Sequence, residues 1–68
     1  MDKITINTEF IKLDSFLKFA GLASSGAEAK FFIQQGNVLV NGEVEKRRGR
    51  KLYKGDVVKT ISGEIYVC

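Results

Sequence analysis

The chain is 68 residues long, which is room for a single domain, and 44% of its residues are hydrophobic. This composition and the absence of proline argue against disorder, and the apolar runs are far shorter than the roughly 20 residues of a membrane helix. The net charge of +3 is unevenly spread, because positions 46–54 hold six of the eleven basic residues and none of the eight acidic ones. A concentrated basic segment predicts a polyanionic partner.

The cysteine content and the first residues bear on the compartment. Cys68 is the one cysteine of the chain. A lone cysteine cannot form an internal disulfide, so nothing in the sequence points to an oxidising compartment. The opening segment, Met1-Asp2-Lys3-Ile4, lacks the charged-then-apolar layout of a signal peptide. We therefore expect a cytoplasmic protein.

The first third of the chain predicts a strand and a helix. Residues 3–7 alternate, with Ile4 and Ile6 on one side, and predict a short edge strand. Apolar residues then recur at helical spacing and predict a helix over 13–20, which Gly21 ends. The residues of this stripe are Leu13, Phe16, Leu17 and Ala20.

A second helix has a sharper start signal. Ser25 and Glu28 have the spacing of a capping box, in which the serine oxygen accepts from the third helical amide and the glutamate reaches back to the cap. The predicted helix covers 26–35 and ends at Gly36. Its apolar stripe contains Ala29, Phe32 and Ile33.

The second half of the chain predicts short strands. Residues 38–40 and 43–45 flank Asn41-Gly42, which is a favoured two-residue hairpin turn. Strands over 57–61 and 64–67 follow, joined at Ser62-Gly63. The predicted fold class is α+β, with two helices packed on a small, mostly antiparallel sheet.

The aromatic residues divide into core and surface candidates. Phe16 and Phe32 are predicted in the core, whereas Phe19 and Phe31 fall off the apolar stripes, so we expect one of them to be partly exposed. Tyr53 lies inside the basic segment. Stacking on a base and packing at the sheet edge both remain open for it.

Ordered fragments of this sequence resemble a known family. The fragments are Lys12-Leu13-Asp14-x-x-Leu17, Ser25-x-x-x-Ala29-x-x-x-Ile33-x-x-Gly36, Val38-x-Val40-Asn41-Gly42 and Gly55-Asp56-x-Val58. In this order they resemble the RNA-binding domain named after the fourth protein of the small ribosomal subunit, also called the αL motif, over roughly residues 10–60. The run from Arg47 to Leu52 is similar to that of the short stand-alone members called YaaA-type proteins. The resemblance implies an αL fold and a non-catalytic RNA-binding protein.

The resemblance and the basic segment together suggest where RNA would bind. The family commonly has arginine where Lys12 stands and arginine after the serine, where this chain has Gly26, so the loop after the hairpin should carry more of the binding. The arginine fork suits phosphate geometry, although a solvated loop is the alternative interpretation. The candidate RNA-binding residues are Lys12, Ser25, Lys30, Lys46, Arg47, Arg48, Arg50 and Lys51. The loop arginines match no apolar stripe, which predicts that removing them leaves the fold intact.

The partner expected is structured RNA. Ribosomal RNA, transfer RNA and a ribosome-bound complex of both are all compatible with the sequence. We expect a monomer with no membrane contact. A rigid basic patch with one aromatic residue predicts recognition mainly by the shape of the RNA.

The sequence supports other functions less well, but two alternatives remain open. The chain has no histidine, and Asp14 and Asp56 are isolated, so we expect no catalytic site, metal or cofactor. A ubiquitin-like carrier is one alternative, although its Gly-Gly tail does not match Ile65-Tyr66-Val67-Cys68. A ribosome-associated, protein-binding adaptor is the other, and salt-sensitive binding to naked RNA would separate it from an RNA-binding protein.

Overall fold

A computed structural model describes residues 2–68, and both predicted helices are confirmed to within one residue at their C-terminal ends. Neither helix in this part of the chain has the length or the apolar character needed to cross a membrane. In chain order the elements are β1 (Asp2–Ile4), β2 (Ile11–Lys12), α1 (Leu13–Phe19), α2 (Gly26–Gln34), β3 (Leu39–Val40), β4 (Glu43–Val44), β5 (Lys51–Leu52), β6 (Val57–Thr60) and β7 (Gly63–Val67).

Five of the strands form one mixed sheet in the order β1-β7-β6-β3-β4. The β1–β7 pair is parallel and the other pairs are antiparallel, so the predicted fold class is confirmed. The first strand lies at the sheet edge as predicted, but it covers residues 2–4 and not 3–7. Beyond it, buried Ile6 donates its amide to the Cys68 carbonyl at 2.9 Å, outside the regular ladder.

The hairpin between β3 and β4 turns at the predicted residues. Asn41 and Gly42 have φ angles of 52° and 87°, both in the left-handed region that a tight primed turn requires. The Asn41 side chain also accepts from the Val57 amide at 2.9 Å and donates to the Asp56 carboxylate at 3.1 Å. These two bonds tie the turn to the start of β6.

The hairpin between β6 and β7 turns one residue earlier than predicted. Thr60 pairs with Gly63, so the two-residue loop consists of Ile61 and Ser62. Ile61 is 99% exposed, because its place in the loop keeps it off both faces of the sheet.

A two-stranded ribbon formed by β2 and β5 was not predicted. Ile11 pairs with Leu52, and Lys12 pairs with Lys51. Leu52 is fully buried, so the alternation of side chains along a strand directs both lysines away from the core. The ribbon joins the residues just before α1 to Lys51 and Leu52 within the basic segment.

The start of α2 follows the predicted capping pattern with one difference. The Glu28 amide donates to the Ser25 hydroxyl at 3.2 Å, as expected of the cap. The Glu28 carboxylate, however, accepts from the amide and the hydroxyl of Ser24, at 3.2 and 3.1 Å, and not from Ser25. The acidic side chain therefore reaches one residue further back than the capping box predicts.

The core lies where α1 and α2 pack on the sheet, and Phe16 belongs to it as predicted. The prediction for Phe32 was wrong, because this ring is only half-buried and lines an apolar groove beside Leu17 and Val38. The two off-stripe residues Phe19 and Phe31 are 68% and 63% exposed, so both lie on the surface, where the sequence predicts only one of them. The buried apolar residues are Ile6, Leu13, Phe16, Leu17, Ala23, Ala29, Ile33, Val38, Val40, Leu52, Val58 and Val67.

Candidate nucleic-acid interface

Residues 46–51, here called the basic loop, are held against the start of α1 by backbone hydrogen bonds. Leu13 donates its amide to the Arg50 carbonyl at 2.8 Å, and Asp14 donates to the Arg48 carbonyl at 3.0 Å. The first amides of a helix have no partner within the helix, and Lys12 at this N-cap position makes no side-chain capping bond. Carbonyls of the basic loop therefore take the place of a cap and fix the loop beside Lys12.

A buried carboxylate organises the basic loop from the inside. Glu45 is 7% exposed, and it directly follows the β3–β4 hairpin. One of its oxygens accepts from the Arg47 amide at 3.1 Å and the Arg47 Nε at 2.9 Å. The other accepts from Arg47 Nη2 at 3.0 Å and Arg50 Nη1 at 2.8 Å. The carboxylate is thus satisfied at both oxygens by two arginines.

These bonds set the charge state of Glu45. The side-chain hydrogen bonds from Arg47, and next those from Arg50, lower the pKa of the Glu45 carboxyl from 4.5 to about 2, against the opposing effect of burial. The same contact raises the pKa of the Arg47 guanidinium. The pair with Arg47 is bidentate, a geometry that combines strength with fixed orientation.

The two paired arginines keep donors that face solvent. A guanidinium has five N–H donors, and Arg47 uses two of its nitrogens on Glu45 while Arg50 uses one. The Arg47 side chain is 75% exposed and that of Arg50 is 32% exposed. Both can therefore hydrogen-bond an anion while remaining paired.

The other cations at this surface have no acidic partner within residues 2–68, where the ion pairs are those of Glu45. Lys12 and Lys51 face each other across the β2–β5 ribbon, and like charges directly opposite each other on paired strands are destabilising. The Lys51 ammonium lies 4.7 Å from the centroid of the Phe10 ring. Exposed Arg48 lies beside the two lysines, because its carbonyl accepts from the Asp14 amide at the start of α1. These three basic residues form a cationic surface that an anion would stabilise. Lys46 is also exposed, but its Cε lies next to Gly36 at the end of α2.

Two of the predicted site residues lie on another element. Ser25 and Lys30 belong to the start and the middle of α2, and both are exposed. The Ser25 hydroxyl is used as the helix cap, and the hydrogen bonds that fix the basic loop run to α1 and to Glu45. The structure therefore gathers Lys12 with the basic loop, whereas an RNA contact of Ser25 or Lys30 stays a prediction.

Sequence reasoning missed two residues of this surface. The alternating pattern predicts Glu45 in a strand, although its position two residues before Arg47 is a signal for a local ion pair. Phe10 packs against Lys51 and against Tyr53, with 6.1 Å between the two ring centroids. Its signal was weaker, because the β2 strand that places it is only two residues long.

The family model for the S4 domain matches residues 4–68. The chain belongs to the S4 domain family. This confirms the resemblance on which the sequence analysis relied, and it decides between the S4 domain and the ubiquitin-like carrier in favour of the S4 domain.

Individual S4 relatives match most of the chain. It is 55% identical over 56 residues to the "Probable ribosome maturation protein RlbA" of Bacillus subtilis (strain 168), covering 82% of this chain and 79% of that protein. It is 37% identical over 57 residues to the "Putative RNA-binding protein YbcJ" of Escherichia coli (strain K12), covering 84% and 81%. A solution structure of YbcJ, described as revealing an αL motif involved in RNA-binding, superposes with a TM-score of 0.74 at 32% identity over 98% of this chain and 86% of that one.

The Glu45 ion pairs predict an acid-sensitive contribution to the stability of this S4 domain. Because the pKa of Glu45 is lowered from 4.5 to about 2 in the folded state, its stabilising effect is complete above the unfolded pKa and is lost as the pH falls through the folded pKa. Glu45→Gln should lower the free energy of unfolding by about 1–3 kcal/mol at pH 7. In urea titrations between pH 7 and pH 2, the difference from the native sequence should shrink below pH 4.5. A difference in the free energy of unfolding that stays constant with pH would contradict a stabilising role for ionised Glu45.

Proposed function

We propose that this S4 domain is a non-catalytic, monomeric protein of the cytoplasm that binds structured RNA. The observation that carries the proposal is the exposed surface on which Lys12 and the basic loop converge. Its unpaired cations are Lys12, Arg48 and Lys51, with exposed Lys46 at the start of the loop, and the two arginines on Glu45 add directed donors. Such a surface suits the phosphate backbone, which supplies much of the affinity of proteins for nucleic acid.

The names of the relatives support the proposal and suggest a narrower partner. One similar protein is named for RNA binding and another for ribosome maturation. We therefore favour ribosomal RNA over transfer RNA as the partner of this chain. The protein-binding adaptor is the alternative, and it differs in needing no contact with naked RNA.

Affinity for a fully paired RNA hairpin should fall steeply with salt. The surface offers about four to six phosphate-binding cations, and each neutralised phosphate contributes roughly 0.7 to 0.9 to the salt dependence, so log K should change with log salt at a slope of about −3 to −5. Fluorescence anisotropy with an end-labelled hairpin between low and physiological salt measures this slope. A slope near zero would mean that the basic surface does not bind the phosphates of the RNA.

Competition in the same assay tests the narrower partner. Fragments of ribosomal RNA should displace the labelled hairpin at lower concentration than total transfer RNA does. A single-stranded oligomer of matched length is the control for recognition by shape, and it should compete less well than either folded RNA. Stronger competition by transfer RNA would overturn the preference for ribosomal RNA while leaving RNA binding in place.

A further inference from the structure

The basic loop borders an open depression that is also lined by an aromatic residue. Its lining residues are Arg47, Gly49, Arg50, Lys51 and Tyr53. Tyr53 is 44% exposed, a large fraction for an aromatic residue in so small a domain. A Cβ added at Gly49 would meet no atom within 4 Å apart from those of its two chain neighbours, so this rim of the depression is open to a ligand. The depression thus places an aromatic ring next to cations that suit phosphate.

The position of Tyr53 is fixed from two sides. Its amide donates to the Asp56 carboxylate at 2.8 Å, and its carbonyl accepts from the Asp56 amide at 3.0 Å. Its ring packs on Phe10 at a tilt of 53°, and Phe10 in turn contacts the Lys51 ammonium. A ring held in this way loses little conformational freedom when a ligand stacks on it, which favours binding.

We propose that this depression receives one unpaired nucleobase of the bound RNA, stacked on Tyr53, with the adjoining phosphate on the basic loop. The inference rests on the proposed function and adds a feature that recognition by shape alone does not require. Bases of a duplex are already stacked on each other, so a base that reaches Tyr53 must come from a bulge or a loop. Stacking on an aromatic face tolerates every base. The site should therefore distinguish unpaired from paired bases, with little preference for their sequence.

Two RNA hairpins test the proposal; each stem is closed by a flexible linker that carries no nucleobase, so the single bulged adenosine of one hairpin is the only unpaired base in the pair. The chain should bind the bulged hairpin roughly five- to tenfold more tightly than the fully paired one, the lower end of the range for one stacked base on a half-exposed ring. Tyr53→Leu should abolish this difference, because leucine keeps the packing on Phe10 but has no aromatic face. Tyr53→Phe should retain it. Tyr66→Leu is the matched control, because Tyr66 on β7 is 41% exposed but does not line the depression.

A spectroscopic measurement reports on the stacking itself. The chain has two tyrosines and no tryptophan, so Tyr66→Phe leaves Tyr53 as the sole tyrosine. Its fluorescence should be quenched more strongly by the bulged hairpin than by the paired hairpin at equal saturation, because stacking on a base quenches the ring. Equal quenching would count against a stacked base.

The outcomes separate this inference from the proposed function. Salt-sensitive binding of both hairpins with equal affinity would overturn the base site and leave RNA binding intact. A difference between the hairpins that survives Tyr53→Leu would also overturn it. Absence of salt-sensitive binding to either hairpin would overturn the proposed function itself.

Discussion

Aspartate in place of Ile33 should leave the chain unfolded at room temperature. Ile33 is fully buried on α2 and lies in the core between the helices and the sheet. Removing such a side chain costs about 2–5 kcal/mol, and an unpaired carboxylate in its place adds several more. The stability available to a domain of this size, at about 0.05–0.15 kcal/mol per residue, is no larger than this sum.

The same helix supplies the control for this experiment. Phe31 is 63% exposed, so Phe31→Asp introduces the same charge two positions away without burying it. Circular dichroism and urea unfolding should show a cooperative transition for Phe31→Asp and none for Ile33→Asp. A cooperative transition of Ile33→Asp near the native midpoint would mean that the core does not close around this position.

Reversing two unpaired charges, as in Arg48→Glu with Lys51→Glu, should reduce affinity for structured RNA by about a hundredfold or more. Each residue can make a charge-assisted hydrogen bond to phosphate worth about 1.5–3 kcal/mol, and 1.4 kcal/mol is tenfold in affinity. Neither side chain is bonded to Glu45, so the fold should be unaffected. The salt dependence should become shallower by at least the contribution of about two phosphates.

A second double variant separates the surface from the total charge. Lys3 and Lys59 are exposed on β1 and β6 of the main sheet. Lys3→Glu with Lys59→Glu changes the net charge by the same amount, and it should weaken binding only slightly. Equal losses of RNA affinity in the two double variants would mean that binding depends on the net charge of the protein and not on this surface.

The structure changes which variants can test the loop. The sequence predicts that alanine at Arg47, Arg48 and Arg50 leaves the fold intact, but two of these side chains satisfy the buried Glu45. Removing them would leave a buried carboxylate without partners, and that is strongly destabilising. The triple variant would therefore confuse loss of folding with loss of binding, whereas Arg48 and Lys51 avoid the problem.

Features set by neighbouring residues could be predicted from the sequence. The α2 helix has a cap and an apolar stripe within ten residues, and Asn41-Gly42 combines two residues suited to positive φ between apolar strands. Both are present as expected. The concentration of basic residues in the loop is likewise visible in the sequence itself.

Features that depend on residues far apart in the chain could not be predicted from the sequence. The β2–β5 ribbon joins two-residue strands about forty positions apart, and two residues are too few to show an alternation. The burial of Glu45 depends on two arginines folding back over it, which no periodic pattern reports. For the candidate site, the sequence could therefore name the cations but not which of them are neutralised.

The parallel pairing of β1 with β7 bears on the order in which the chain assembles. Asp2 lies opposite Ile65, so this contact closes a loop that contains nearly the whole chain, and the entropy cost of closure rises with loop length. The β6–β7 hairpin, with its two-residue connection, can form locally and offer β7 as a template. Because β1 precedes β7 by nearly the whole chain, β1 is synthesised long before its partner and is among the last strands to pair, and folding should be slower than in helical domains of similar size.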